Sequence, residues 1–394
     1  MTDKIIRGAG GPPPTPPPPY RAPDTLNSRQ FASIQDLISE GEIEGFATPS
    51  KAGLTKGTTA YNNAALKDIF LNDTPILNAS ASNTNPQTAD FNFQNVGFTP
   101  RFGTSNQSHV PGIEGSQSTT AVGVTVTNSS PVTRQITNTA VDAAKVTITF
   151  PQLQKATDEG DLLGSSVNLK IQVQYNSGGF TDVINDTITG RTADAYQKEY
   201  RISFTGSFPV DIRVVRVTAD SSSTQLVDAF TWTSISEIVD DKQTYPNSAY
   251  TNLRIDSEQF SSIPKRAFRI RGVKVRIPGA GASNSGTPTV DLQTGRIIYP
   301  SGYIFNGTMG AAQWCSCPAL ILLDLLTTER YGFGTHITDS NLDLFSFIAA
   351  SKYANELVDD GFGGQEARFS CNVNIQGSTE AFTLINELAG VMRC

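Results

Sequence analysis

Charged residues are scarce in this chain of 394 residues: they make up 17% of it, and the formal net charge is -7. A protein that follows the phosphates of a nucleic acid needs a basic surface, so this composition argues against that class. The longest apolar run, "ALILLDLL" at 319–326, is too short to span a bilayer. The opening "MTDKIIRGAG" contains no apolar core of signal-peptide length. We therefore expect neither secretion by that route nor stable membrane insertion.

Cysteine is also rare, with four residues in the whole chain. Cys315 and Cys317 are one residue apart, whereas Cys371 and Cys394 are distant, and this spacing is not a disulfide framework. A Cys-x-Cys pair with two further ligands can hold a metal, but the chain has no second close pair and only two histidines. Reduced thiols without a metal are the expectation, and no cofactor is expected.

What the sequence has in abundance is short runs of alternating apolar and polar residues, which are typical of β-strands. In the clearest run, the odd-numbered residues from Val167 to Tyr175 all point to one face. About seven such runs between residues 119 and 240 predict an inserted β-sandwich of immunoglobulin or fibronectin III type. Trp232 is predicted to lie in its core. We predict a mainly β protein with a helical C-terminal segment, of the α+β class.

The composition of the segments before and after the sandwich predicts how the rest of the chain is organised. The predicted parts are a proline-rich tail (1–25), the first part of a second β domain (26–118), the inserted sandwich (119–240), the remainder of the second β domain (241–310) and a helical segment (311–394). Within them, residues 79–118 are polar and predict a long loop region. The proline-rich tail is either a flexible tether or a strap across a neighbouring subunit.

The last 80 residues change to a helical period. Pro318 suits the first turn of a helix, and Ser340 with Asp343 predicts a capping box for the next one. Ser378 is predicted to cap a final helix that includes Leu388. Because the sequence stops inside that helix, we expect it to be the front portion of a longer protein, beginning a further domain.

A basic stretch follows the predicted sandwich. Its apolar residues change from even to odd positions at Gly272, which predicts a β-bulge there. Arg269, Arg271, Lys274 and Arg276 then occupy the opposite face with no acidic residue among them. That face is either solvated or a contact for an acidic neighbour.

The segment "LISEGEIEGF" (37–46) raises the question of catalysis, because Glu40, Glu42 and Glu44 alternate with glycines. Two such carboxylates across a cleft would suit a glycan hydrolase. A tight strand connection explains the same pattern without catalysis. His109 and His336 lie in polar stretches with no nucleophile nearby, so they predict no catalytic pair.

Several stretches in order resemble one family. They are "LISEGEIEGF", "LNDTPIL", "WTSISEIVDDKQTYPNSA", "RIDSEQF", "RIRGVKVRIP", "PALILLDLLTTERYGFG", "DGFGGQEARFSCN" and "LAGVMRC". This order is similar to that in the N-terminal part of the phage lambda-type tail tip attachment proteins, also called host specificity or central tail hub proteins. Glu42 departs from the family pattern, which often has proline at that position.

The resemblance implies a structural virion protein, not an enzyme. It implies a tail-hub β-barrel domain interrupted by the sandwich, and a homotrimer that closes the distal end of a siphophage tail tube. The implied partners are other tail-tip and tail-tube proteins, passing DNA, and a host receptor reached through a region beyond this sequence. Glu40, Glu42 and Glu44 then become structural or interface residues, as do the four basic residues of 269–276. A fibronectin-type surface adhesin and a tail-associated glycan hydrolase are the alternatives.

Overall fold

The computed structural model describes residues 18–376 and 380–393, and strands dominate it. The strands before the sandwich are β1 (Phe31–Glu40), β2 (Ile43–Phe46), β3 (Ile69–Leu71), β4 (Thr74–Pro75) and β5 (Gly97–Phe102). Those of the sandwich region are β6 (Glu114–Thr125), β7 (Val132–Ile136), β8 (Ala143–Phe150), β9 (Gln154–Ala156), β10 (Leu162–Leu163), β11 (Ser165–Tyr175), β12 (Thr181–Gly190), β13 (Tyr196–Ser203), β14 (Val210–Arg216), β15 (Leu226–Val227) and β16 (Thr231–Asp240). Those after it are β17 (Ser248–Asp256), β18 (Arg266–Phe268), β19 (Ile270–Val273), β20 (Val275–Pro278), β21 (Thr289–Val290), β22 (Ile297–Ile298), β23 (Met309–Gln313), β24 (Leu357–Asp359) and β25 (Gln365–Ala367). The α-helices are α1 (Ala47–Lys51), α2 (Thr59–Ala65), α3 (Pro318–Thr327), α4 (Leu344–Ala354) and α5 (Ala381–Val391).

The chain forms two compact units. Among the described residues, one unit comprises 18–29 and 111–242, and the other comprises 30–110, 243–376 and 380–393. We call them the sandwich unit and the second unit. The second unit is discontinuous in sequence because the sandwich unit is inserted into it.

The sandwich unit contains two four-stranded antiparallel sheets, in the orders β12-β11-β14-β7 and β13-β8-β16-β6. The alternation predicted for 167–175 is present, since Val167, Leu169, Ile171 and Val173 are fully buried. They share one apolar core with residues of the other sheet, including Ile148 and Trp232. The prediction that Trp232 is a core residue is confirmed, because its side chain is 0% exposed.

The described end of the proline-rich tail lies against its own sandwich. Ala22 N–H donates to the Leu162 carbonyl at 2.8 Å, and the Leu162 N–H donates to the Tyr20 carbonyl at 2.8 Å. Asp24 forms an ion pair with Arg191 at 2.6 Å. Residues 1–17 lie outside the described residues, so the choice between tether and strap stays a prediction for them.

The second unit is built from small antiparallel ladders. They have the orders β1-β17-β5, β18-β3-β4, β19-β2, β20-β23, β21-β22 and β24-β25. Among the described residues, none of these ladders closes into a barrel. Residues 97–102, predicted to belong to a loop region, form β5 and pair with β17. Pro100 weakens the strand pattern in the sequence, but β5 is an edge strand, where proline is tolerated.

The helical segment is confirmed, with one change of detail. Helix α3 begins at Pro318, as predicted, and ends at Thr327. Helix α4 is capped by Asp343, whose side chain accepts from the N–H groups of Phe345 and Ser346, so the predicted capping box led by Ser340 is wrong. The aspartate is one residue before the first helical residue, where a side-chain acceptor reaches the free N–H groups. The predicted cap Ser378 lies outside the described residues.

Candidate functional site: the charge cluster of the acidic segment

The acidic segment, residues 37–46, turns from β1 into β2 within the second unit. Gly41 has φ +98° at the turn, and its N–H donates to the Asn247 carbonyl at 2.7 Å. Gly45 has φ +134°, and a Cβ there would overlap the Tyr61 hydroxyl, which accepts a hydrogen bond from Phe46 N–H at 3.2 Å. The glycines are therefore required by backbone conformation and close packing.

The three glutamates of the acidic segment face cations of the same chain. Glu40 accepts from Arg330 Nε at 2.6 Å. Glu42 accepts from Lys274 Nζ at 2.7 Å, and Glu44 lies 4.0 Å from the same ammonium. Glu42 directly precedes β2 and Glu44 lies within it, so the two side chains point to the same side and one lysine can pair with both. The segment is thus a strand corner held by ion pairs.

Arg269, the first cation of the basic stretch, is paired with a buried carboxylate. Asp68 is 0% exposed and lies 2.6 Å from an Arg269 guanidinium nitrogen. The same carboxylate accepts from the backbone N–H of Thr48 at 2.5 Å and from its hydroxyl at 2.8 Å. Asp68 therefore ties the start of α1 to the basic stretch, and its charge is compensated by hydrogen bonds.

Arg271 lies in a different environment from Arg269. It is only 5% exposed, and its guanidinium carbon lies 4.5 Å from the centroid of the Trp314 ring. Burial lowers the pKa of the Arg271 guanidinium from its ordinary value, with nearby Glu44 opposing that change. Its Nη1 is buried without a hydrogen-bond partner among the described residues. The cation–π contact with the Trp314 ring compensates in part for the water that the buried Arg271 guanidinium loses.

Arg276 is the last cation of the basic stretch. The charge cluster comprises Arg269, Arg271, Lys274, Arg276 and Arg330 with the carboxylates Glu40, Glu42, Glu44, Asp68 and Asp339. The two terminal nitrogens of Arg276 donate to the two Asp339 oxygens at 2.8 Å each, and one also donates to the Thr327 hydroxyl at 3.0 Å. The Arg276 guanidinium lowers the pKa of Asp339, and the same hydrogen bond raises the pKa of Arg276. This two-bond geometry fixes the loop before α4 against β20.

The basic stretch is therefore not a single open face of unpaired charge. Arg269, Lys274 and Arg276 pair with carboxylates of the same chain, and Arg271 is buried. The predicted bulge at Gly272 is also wrong, because Ile270, Arg271 and Val273 keep a regular register with β2. The apolar phase changes because the chain changes partners, from β3 to β2 to β23. Contact of the seven candidate residues with another chain stays a prediction.

The sequence pattern does not predict three partners in the cluster: Asp68, Arg330 and Asp339. They are 201, 290 and 63 residues away from their partners in sequence. Of the three, only Asp68 has a local indication in the sequence, because it lies in the mainly apolar segment 64–71. A carboxylate buried in such a segment needs a cation or hydrogen-bond donors.

The cysteines lie apart from this cluster. Cys315, Cys317 and Cys371 are buried free thiols, and burial raises the pKa of Cys315 to about 12. Cys394 lies outside the described residues. In residues 18–376 and 380–393, no group of histidine, cysteine, aspartate and glutamate side chains is placed to hold a metal ion.

Comparison with known proteins agrees with the resemblance. Residues 116–241 match the family description "Tip attachment protein J, FNIII-A domain". A protein of Escherichia phage SECphi4 named Tip attachment protein J is 31% identical over 388 residues, which is 98% of this chain. Nearly the whole chain is similar to tip attachment protein J. A second protein of that name, from Escherichia phage SECphi27, is 28% identical over 395 residues.

The relationship to tip attachment protein J covers only part of those proteins. The chain spans 31% of the SECphi4 protein and 30% of the SECphi27 protein. Both proteins are named as tip attachment proteins, and neither name denotes an enzyme. The predicted fibronectin III-type insertion is confirmed by the match to the FNIII-A domain.

Solved structures add nothing to the relationship with tip attachment protein J. One titled "CBM4 structure and function" covers 45% of this chain at 14% identity, with a TM-score of 0.16. A likeness at that level carries no argument about fold or ligand. Within the described residues, no helix has the length and apolar character that a bilayer crossing requires.

Proposed function

We propose that this chain is a structural virion protein at the distal tail tip of a phage with a long, non-contractile tail. In this role it forms the central hub, closes the tail tube and links the tube to the region that attaches to the host. It resides in the virion after synthesis in the host cytoplasm. The observation that carries the proposal is the relationship to tip attachment protein J over 98% of the chain.

The charge cluster suits a part that bears load. It joins segments that are far apart in sequence, since Glu40 pairs with Arg330 and Glu42 pairs with Lys274 across 290 and 232 residues. Such pairs are partly exposed and each adds little stability, but they hold together segments that are distant in sequence. The proposed hub would need this strand corner to stay in place when the tail is under mechanical load.

Assembly as a homotrimer follows from the hub role. Segments 26–78 and 241–310 form the ring, and the hub contacts other tail-tip and tail-tube proteins. Closed cyclic symmetry lets one surface meet a different one without open-ended growth. DNA passes only transiently during delivery, and no stable membrane insertion takes part. Mass photometry of the purified chain should show a trimer that dissociates on dilution, whereas monomer at every concentration would overturn the ring.

The role in the particle is tested by depletion. A phage with an amber codon early in this gene, grown in a non-suppressing host, should yield heads and tail parts but no infectious particles. Expression of the intact protein from a plasmid should restore infectious titre. Normal tails and normal adsorption without the protein would overturn the proposed function.

The inserted sandwich is proposed to fold on its own, because its strands bury one continuous core within residues 119–240. We expect residues 119–240 expressed alone to show one cooperative thermal transition by circular dichroism. The same result is expected when residues 18–29, which contact the sandwich, are added as a peptide. A product without such a transition would contradict the proposed domain boundary.

A further inference from the structure

The hairpin of β24 and β25, residues 357–367, presents an aromatic side chain to solvent. Phe362 at its tip is 97% exposed. The tip is nevertheless a formed turn, because one Asp360 oxygen accepts from Phe362 N–H at 2.7 Å and from Gly364 N–H at 2.9 Å. A large apolar side chain held in water by a defined turn is typical of a contact residue.

The hairpin is also acidic. Asp359, Asp360 and Glu366 lie on it, and the arms pair in register from Leu357 with Ala367 to Asp359 with Gln365. Among the described residues, Asp359 and Glu366 form no ion pair with a basic side chain. The hairpin therefore combines an exposed aromatic tip with uncompensated negative charge.

A groove of about 490 Å³ lies on the second unit. Phe98 and Phe102 line it. Each is supported from behind by a buried aromatic residue, Phe98 edge-on to Phe46 at 5.3 Å and Phe102 edge-on to Tyr61 at 5.6 Å. The walls are thus fixed by the core, and an inserted aromatic ring would meet preformed aromatic surfaces.

The groove also has the complementary charge. Lys56 and Arg101 line it, and its lining residues include no aspartate or glutamate. Lys56 Nζ lies 4.5 Å from the centroid of the Phe102 ring. Arg101 donates to backbone carbonyls, including that of Ser108 at 2.6 Å, so neutral acceptors hold its position and leave its charge available.

We propose that the hairpin of one copy docks into the groove of a second copy, with Phe362 between Phe98 and Phe102. Asp359 and Glu366, which point to opposite faces of the hairpin, then supply the negative charge that Lys56 and Arg101 meet in the groove. This contact rests on the proposed homotrimer and deepens it, because it adds surfaces outside segments 26–78 and 241–310 to the contacts within the ring. Because the hairpin meets a different surface on its neighbour, the contact is head-to-tail, and three copies can close it into a ring. Complementary charge selects the register, and the aromatic tip supplies the buried anchor.

The test places a photo-crosslinking benzophenone amino acid at position 362 of an isotope-labelled chain and mixes it with unlabelled chain. Irradiation should join the labelled copy to residues 98–108 of an unlabelled copy, as identified by mass spectrometry of the peptides. The same probe at Ile263, which is 70% exposed, is the matched control and should give no such product. Multimers crosslinked from position 362 to another surface would overturn the contact while leaving the trimer intact. Absence of multimers at every concentration would overturn the trimer itself.

Substitutions give an independent readout. Phe362→Ala should raise the concentration at which trimers dissociate at least tenfold in mass photometry, whereas Ile263→Ala should leave it unchanged. Both variants should keep the circular dichroism spectrum of the parent, because both side chains are exposed in the single chain. Equal trimer dissociation in the two variants would refute the docking of Phe362.

Discussion

Replacing Asp68 with alanine should destabilise the second unit more than the loss of any exposed ion pair of the charge cluster. The Asp68 carboxylate is fully buried. It accepts from Thr48 N–H at 2.5 Å, from the Thr48 hydroxyl at 2.8 Å and from Arg269 Nε at 2.8 Å. Alanine removes the acceptor of all three donors and leaves a cavity the size of a carboxylate.

The magnitude follows from the exposure of each donor. A buried donor left without an acceptor costs about 1–3 kcal/mol, and Thr48 contributes two partly buried donors. The Arg269 side chain is 58% exposed, so water replaces most of its interaction, and its loss adds about 0–1 kcal/mol. We expect Asp68→Ala to lower the free energy of unfolding by about 3 kcal/mol. Glu42→Ala, which removes a half-exposed pair with Lys274, should lower it by about 0–1 kcal/mol.

Urea denaturation followed by circular dichroism gives the two free energies of unfolding, with the slope of each transition as a check on two-state behaviour. Hydrogen exchange read by mass spectrometry separates residues 43–71 of the second unit from the sandwich unit, so the loss can be located. Equal destabilisation by Asp68→Ala and Glu42→Ala would refute the view that Asp68 is the buried anchor of the cluster.

Three further predictions concern the same region. Gly45→Ala should lower the melting temperature well beyond the effect of Gly53→Ala, since only at Gly45 would the new Cβ overlap another side chain; equal shifts would contradict this packing. Gly272→Ala should leave the melting temperature nearly unchanged, because Gly272 has no neighbour within 4 Å of a new Cβ and no positive φ. A large fall in the melting temperature would contradict the regular register and favour a bulge. Arg276 depresses the pKa of Asp339, so their pair stabilises the fold above the ordinary value of 3.8 and is lost as pH falls through the lower folded value. Asp339→Asn should therefore flatten the acid limb of a stability profile, by a small amount because both side chains are about 40% exposed, and an unchanged limb would contradict the pairing.

The sandwich could be predicted from the sequence because its strands have local patterns of apolar and polar residues. The alternation from Val167 to Val173 identifies the buried face of β11, because successive side chains of a strand point to opposite faces. Trp232 is predicted to lie in the core because sandwiches of this type bury a tryptophan, and its side chain is fully buried. The helix start at Pro318 followed from the fixed φ of proline and the free N–H groups of a first turn. Each of these inferences needs only neighbours within a few residues.

The charge cluster could not be predicted in this way, because its pairs join distant segments. A strand rich in arginine and lysine has the same sequence whether it faces water, another chain or carboxylates folded back from residues 42, 68 and 339. The prediction of a bulge from the change of apolar phase at Gly272 is wrong for a related reason. A bulge within one ladder and a strand that passes from one ladder to the next give the same pattern, and only the pairing register separates them.

Electron microscopy of purified phage particles, labelled with gold-conjugated antibody against this chain, tests the central claim most directly. The relationship to tip attachment protein J predicts gold at the distal end of the tail and nowhere along the tube or on the capsid, with averaged images of the labelled tip showing threefold symmetry. Gold on the capsid, gold spread along the tube, or particles that carry none of this protein would contradict the proposed function.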